Sequence, residues 1–106
     1  IITALGNDYG FENTFSRQCE SMVTKGDVVI AISTSGNSKN VVNGIKTAKR
    51  LGAVVIGLTG QNGDALREIV DVLLVVASKS TPRIQEGHRI IIHIICELVE
   101  KEFFSQ

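Results

Sequence analysis

Four hydroxyl side chains lie close together in the segment ISTSGNSKN, directly after an apolar run. They belong to Ser33, Thr34, Ser35 and Ser38. Small hydroxyls can donate hydrogen bonds to a phosphate, and the backbone N–H groups of residues 36–39 would point outward at the start of a following helix. The same residue types are common in turns that end in an N-cap. The pattern alone therefore leaves two interpretations open, a neutral phosphate site and a capped turn.

Three short apolar runs could position this segment, which we call the serine loop (residues 33–38). They are VVIAIS, AVVIGLT and DVLLVV, at residues 28–33, 53–59 and 71–76. Because each run is continuous rather than alternating, we expect strands that are buried on both faces of a parallel sheet. A helix with Ser38 as its N-cap follows the first run, and a shorter helical crossover follows Gly63. This order predicts an α/β fold, in which ligands bind beyond the carboxyl ends of the strands.

Two further helices flank this unit. Residues 10–26 predict a helix of about three turns. Its apolar face would carry Phe11, Phe15, Cys19 and Met22. Residues 80–104 predict a long helix with Thr81 as N-cap and Pro82 at the first helical position. Because this last helix is apolar nearly all round from residue 90 to residue 99, we expect missing segments or partner chains to cover it.

The composition of the chain restricts the classes of partner. With 106 residues, 43% of them hydrophobic, the chain can form one domain with a core. Eleven basic and eleven acidic residues leave no net charge, which argues against electrostatic binding to nucleic acid or to an anionic membrane. Cys19 and Cys96 show neither metal-type spacing nor disulfide density, which favours a cytoplasmic location. The chain opens on IITALG without an initiator methionine, so we expect an incomplete domain.

Three segments carry a resemblance to a known family. The segment GDVVIAISTSGNSKNVV closely resembles the phosphosugar-binding signature of the SIS (sugar isomerase) family. TPRIQEGH and HIICELVE resemble the C-terminal helix of one branch, the bacterial sedoheptulose 7-phosphate isomerases or phosphoheptose isomerases. ALGNDYGFENTFSRQ resembles the segment that leads into the second half of those enzymes. The resemblance implies a three-layer αβα, flavodoxin-like SIS domain whose N-terminal part is absent, so that residues 1–106 form a single partial domain.

The resemblance also implies roles for individual residues. The phosphate-binding positions match Ser33, Thr34, Ser35 and Ser38. Asn7 and Asp8 match positions that contact the sugar, and Gln85 and His93 match an active-site pair. In family members with metal, this pair also binds zinc, and no organic cofactor is implied. The catalytic glutamate and a further zinc histidine would lie in the absent half.

Each of these residues has a structural interpretation beside the functional one. His93 is flanked by isoleucines, which is typical of a buried histidine, although imidazole also suits proton transfer near neutral pH. Gln85 could be a polar residue without a role, since about 12 Å of helix axis separates it from His93. Asn7 and Asp8 could form a turn or a helix cap. His88 matches no catalytic position, and we interpret it as structural or solvated.

The resemblance implies an enzyme. It would convert D-sedoheptulose 7-phosphate to D-glycero-D-manno-heptose 7-phosphate through an enediol, in bacterial heptose and lipopolysaccharide precursor synthesis. Members of this branch are homotetramers with active sites between subunits, so we expect the 106-residue chain alone to be inactive. The alternative is a non-catalytic SIS protein, either an adaptor that binds the bacterial replication initiator or a sugar-phosphate sensor. Loss of the catalytic glutamate from the absent half would favour the adaptor.

Overall fold

The predicted parallel sheet is present in the computed structural model, which describes residues 11–104. Its strands are β1 (Val28–Ser33), β2 (Val54–Gly60) and β3 (Val72–Val76), and they lie in the order β1-β2-β3. The register pairs Ser33 with Thr59 and Gly60 with Val76. The carboxyl ends of all three strands therefore lie along one edge of the sheet.

Helices cover both faces of the sheet and complete the predicted αβα layers. They are α1 (Thr14–Met22), α2 (Lys39–Arg50) and α3 (Thr81–Phe104), with 3-10 turns at Phe11–Asn13 and Asp64–Glu68. Ala31 and Val55 pack in one buried cluster with Ile45 of α2. Gly60 and Val76 contact α3. Because side chains alternate between the faces of a strand, α2 and α3 lie on opposite faces.

The prediction that all strands are buried on both faces is wrong for β1 in the described part of the chain. Val28, Ile30 and Ile32 point to the face that carries α3, and they are exposed. The reason is geometric, because α3 packs over β2 and β3 and leaves β1 uncovered. Leu58 on the central strand is completely buried, as predicted.

Two details of the flanking helices also differ from prediction. The amide of Ile84 donates to the carbonyl of Ser80 at 2.9 Å, so Ser80 takes the N-cap position and Thr81 is already helical. Met22 is 78% exposed and does not belong to a buried face. It is the last residue of α1, and the next residue, Val23, packs against the core instead.

The long helix α3 is only partly covered within residues 11–104. Ile84 and His88 near its start are buried, whereas Ile90, Ile94 and Leu98 are at least half exposed. The expectation that missing segments or partner chains cover this helix stays a prediction. No helix in this part of the chain combines the length and apolar character needed to cross a membrane.

Asp71 joins β2, β3 and α2 just before the start of β3. Its amide donates to the carbonyl of Val55 at 2.9 Å, and its Oδ2 accepts from the amide of Val55 at 2.8 Å. Its Oδ1 accepts from Nζ of Lys49 at 2.8 Å. The hydrogen bond from Lys49 and then that from Val55 hold the pKa of Asp71 below its usual range.

We expect Asp71→Asn to lower the free energy of unfolding near neutral pH. Because the folded-state pKa is depressed, the carboxylate's contribution is present above the unfolded pKa of about 4 and is lost as the pH falls through the folded value. Denaturant titrations of wild type and variant should therefore converge at low pH. Glu68→Gln removes an exposed carboxylate that has no hydrogen bond within residues 11–104 and serves as the control. An Asp71→Asn difference that stays constant down to the lowest pH would contradict the prediction.

Candidate functional site

Two hydroxyls of the serine loop, those of Ser35 and Ser38, converge on Ser33, which is only 4% exposed. Its Oγ lies 3.0 Å from Oγ of Ser38 and 3.5 Å from Oγ of Ser35. The amide of Gly36 donates to the same Oγ at 3.0 Å. The loop thus folds back on the end of β1 and gathers three hydroxyls at the N-terminus of α2.

The four backbone amides of residues 36–39 differ in whether they have an acceptor. Those of Gly36 and Asn37 donate to the loop's own hydroxyls, the second to Oγ of Ser35 at 3.1 Å. The expectation that all amides from 36 to 39 point outward is therefore wrong for these two. The amides of Ser38 and Lys39 have no acceptor among residues 11–104. Two free N–H groups and a helix N-terminus favour an anion at this position.

Ser38 occupies the predicted N-cap position of α2, but its side chain does not cap the helix. Its hydroxyl is bonded to Ser33 instead. A side chain used only for capping would accept a hydrogen bond from the first turn of its own helix. This difference favours the interpretation of the loop as a binding site over that of a capped turn.

A second loop, after β2, supports the serine loop from the side. Gly36 has φ +74°, and a Cβ there would lie 2.5 Å from the carbonyl oxygen of Gly63. The side-chain amide of Asn37 donates to Oδ2 of Asp64 at 3.1 Å. Sequence reasoning missed this contact between loops, and the glycines in TSGN and QNGD were the only signal for it.

Gln85 and His93 line one cleft of about 300 Å³ together with Thr34 of the serine loop. The other lining residues are Ile32, His88, Arg89 and Ile92. Both Gln85 and His93 are exposed, so the burial that the isoleucine context suggested for His93 is wrong within residues 11–104. The separation of eight residues along α3 does not prevent the two side chains from facing the same space.

His88 is the buried histidine of α3, in agreement with its structural interpretation. Its Nε2 lies 2.8 Å from the carbonyl oxygen of Thr59. Arg89 adds a positive charge to the cleft wall, and sequence reasoning did not single it out. Asn7 and Asp8 lie outside the described residues, so their proposed contacts with a sugar stay predictions.

The described residues contain no group of three or more His, Cys, Asp or Glu side chains that could hold a metal ion. In the cleft, Gln85 and His93 provide an amide oxygen and an imidazole nitrogen. Zinc in proteins usually has about three or four protein ligands. A zinc site here would therefore need further ligands from outside residues 11–104.

Comparison with known protein families finds a match that includes the serine loop. The family described as SIS domain matches residues 1–60 of this chain. The chain belongs to the SIS domain family. In this family member, the matched region includes β1, the serine loop, α2 and β2.

Curated relatives and solved structures extend the match over the rest of this SIS chain. Phosphoheptose isomerase from Geotalea daltonii is 56% identical over 106 residues, which are 100% of this chain and 55% of that protein. The same-named protein from Sulfurimonas denitrificans is 54% identical over 98% of this chain and 53% of its own length. The chain therefore spans about half the length of the curated relatives it matches.

A solved phosphoheptose isomerase from Neisseria gonorrhoeae superimposes with a TM-score of 0.92 at 44% identity, covering 94% of this chain and 56% of that one. The one from Francisella tularensis gives a TM-score of 0.91 at 37% identity, covering 94% and 54%. The predicted αβα SIS fold is thereby confirmed.

Replacing Gly36 by alanine should destabilise the protein by more than the strain that a positive φ causes in any residue with a Cβ. Gly26 has φ +91° with nothing within 4 Å of a Cβ, so Gly26→Ala is a matched control for the strain alone. Each variant should lose about 1 kcal/mol of stability from the positive φ. Gly36→Ala should lose more, because its Cβ meets the Gly63 carbonyl, and should bind inorganic phosphate at least about tenfold more weakly.

Denaturant titration and calorimetric titration with phosphate measure the two effects. Equal losses in both variants, with phosphate affinity unchanged in Gly36→Ala, would contradict the assigned loop geometry.

Proposed function

We propose that the protein containing this chain isomerises D-sedoheptulose 7-phosphate to D-glycero-D-manno-heptose 7-phosphate. The observation that carries the proposal is the cleft in which Thr34 of the serine loop meets Gln85 and His93. The names of the relatives reported above support it, since each is a phosphoheptose isomerase. Residues 1–106 would form the phosphosugar-binding half of one SIS domain together with its C-terminal helix.

The serine loop would hold the substrate's phosphate. Ser33, Ser35 and Ser38 carry converging hydroxyls, and the amides of Ser38 and Lys39 have no acceptor within residues 11–104. Binding the phosphate requires the hydroxyls to exchange their mutual hydrogen bonds for bonds to the anion. Because the loop uses dipoles rather than lysine side chains, product release does not require separation of a close ion pair. Asn7 and Asp8 are proposed to contact the sugar.

His93 would transfer the proton that isomerisation requires. The reaction removes a proton from C1, next to the C2 carbonyl, and protonates the carbonyl oxygen to give an enediol. A proton then returns to C2 while the hydroxyl on C1 loses its own proton, which leaves the aldehyde. An imidazole is suited to proton transfer near neutral pH. By the family resemblance, a glutamate from outside the described residues serves as the opposing group, and Gln85 orients the sugar.

We also propose, on the basis of the family resemblance, that this pair binds zinc. Gln85 and His93 would hold it, with the remaining ligands from outside residues 11–104. The ion would polarise the substrate's carbonyl group. The proton transfer assigned to this chain's own residues does not depend on that contribution.

The adaptor alternative is less well supported. An adaptor has no need for a cleft lined by both the serine loop and an imidazole, whereas Thr34 and His93 line one cleft here. We further propose that the enzyme is cytoplasmic, serves heptose and lipopolysaccharide precursor synthesis, and forms a homotetramer. The half-exposed apolar side chains of α3 support the assembly into oligomers.

Ser38→Ala and His93→Ala should separate binding from chemistry in the full-length enzyme. Ser38→Ala should raise KM for the heptulose phosphate, since one hydrogen bond to a charged group is worth about 1.5–3 kcal/mol. His93→Ala should lower kcat by about 10²–10⁴-fold, the usual contribution of a general acid or base, with phosphate affinity retained. Steady-state kinetics and phosphate titration measure both.

Ser21→Ala is the matched control, because Ser21 is exposed on α1 and bonds only to its own helix. A folded His93→Ala protein with normal turnover would refute the catalytic assignment and favour the adaptor.

The 106-residue chain alone should self-associate and show no isomerase activity. Ile90 is 61% exposed and Phe104 82% exposed, and an apolar surface of this kind drives association. Ile94→Glu with Leu98→Glu should shift the sedimentation coefficient towards that of a monomer. Ala77→Glu, at an exposed position outside α3, should not. A monomeric and active wild-type chain would contradict this prediction.

A further inference from the structure

One peptide group connects helix α3 to the serine loop. The carbonyl of Thr59 lies 2.8 Å from Nε2 of His88, and a carbonyl can only accept, so Nε2 carries the hydrogen. On the other side of the same peptide group, the amide of Gly60 donates to the carbonyl of Thr34 at 3.1 Å. The chain of hydrogen bonds therefore runs from His88 through the 59–60 peptide to Thr34.

The position of this peptide makes the connection relevant to the site. Thr59 is paired with Ser33 in the parallel register of β1 and β2. The donor His88 lies three residues after Gln85 on the same helix, and both line the cleft with Thr34. A displacement of the helix relative to the strand ends would therefore change the distance between the loop and the side chains of Gln85 and His93.

Packing around the peptide leaves little freedom for such a displacement. A Cβ on Gly60 would overlap the side chain of Ile84, so only glycine allows α3 to approach this closely. His88 is 96% buried, since its exposed fraction is 4%. Its Nδ1 has no hydrogen-bond partner within the described residues. A buried histidine with one unpartnered nitrogen is uncommon, because buried polar atoms are usually bonded.

We propose that His88 is a positioning residue, which fixes Gln85 and His93 relative to the serine loop through the 59–60 peptide. The hydrogen bond that Nε2–H donates to the carbonyl of Thr59 fixes this position. The polarised peptide also strengthens the hydrogen bond from Gly60 to Thr34, because linked hydrogen bonds reinforce one another. The inference rests on the proposed function for its kinetic readout only.

Two substitutions of similar size distinguish the contribution of Nε2 from that of Nδ1. In His88→Gln, the side-chain amide can reach the position of Nε2 and donate to Thr59. In His88→Asn, the shorter amide occupies the position of Nδ1 and cannot reach the carbonyl. We expect His88→Gln to keep kcat within about threefold of wild type and His88→Asn to lose about tenfold or more, since small misplacements of catalytic groups are costly. Affinity for inorganic phosphate should stay within about twofold in both.

A readout that needs no activity is the exchange rate of the Gly60 amide hydrogen. In the full-length protein, this rate should rise about tenfold in His88→Asn and stay near the wild-type rate in His88→Gln, because opening of the bond to Thr34 controls it. Nitrogen-15 shifts of the wild-type ring should show a hydrogen on Nε2. That measurement requires no variant, so a His88→Asn protein that fails to fold leaves the inference testable.

The outcomes distinguish this inference from the proposed function. Equal kcat losses in the two variants, a wild-type kcat in His88→Asn, or a ring hydrogen on Nδ1 alone would overturn the positioning role. A wild-type protein without isomerase activity would refute the proposed function, while the exchange rates and ring shifts would still decide the role of His88. A loss of thermal stability without a change in kcat or in Gly60 exchange would reduce His88 to a packing residue and overturn the inference.

Discussion

The parallel register between β1 and β2 is the constraint on which the site depends. It pairs Ser33 with Thr59, so the chain leaves both strands at the same edge of the sheet. The serine loop and the loop after β2 then have to pass each other closely. Gly36 makes this approach possible, because a Cβ there would overlap the carbonyl of Gly63, and Asn37 and Asp64 hold the two loops together. A shift of β1 by one residue would turn every side chain of that strand to the other face, and the contacts that form the site would be lost.

Electrostatics at the serine loop itself comes from dipoles, whereas Arg89 adds a positive charge to the wall of the neighbouring cleft. The hydroxyls of the serine loop are neutral, and the amides of Ser38 and Lys39, which have no acceptor within residues 11–104, lie at the positive end of α2. The carboxylate of Asp64 accepts a hydrogen bond from the side-chain amide of Asn37. Such an arrangement can bind a dianionic group without attracting every anionic polymer, in keeping with a chain of zero net charge. Chemical function then depends on how α3 is placed against this loop, which is decided by Gly60 and His88.

Much of this architecture could be predicted from the sequence because it is local. Continuous apolar runs predict β1 with its observed ends, Val28 and Ser33. The anion site that the residue types of the serine loop favour stays a prediction. Contacts between distant segments could not be predicted in this way. The exposure of Ile30, the contact of Gly36 with Gly63 and the bond from His88 to Thr59 depend on register and on which strands α3 covers. The isoleucines around His93 favour burial of this side chain, yet within residues 11–104 His93 is exposed.

A crystal structure of the full-length protein with sedoheptulose 7-phosphate would show whether the serine loop holds the phosphate group. We expect phosphate oxygens at hydrogen-bonding distance, about 2.7–3.2 Å, from the hydroxyls of Ser35 and Ser38 and from the amide of Lys39. The bond between Ser33 and Ser38 would lengthen as the hydroxyls turn to the anion. A phosphate bound elsewhere, with the serine hydroxyls still bonded to one another, would contradict the account.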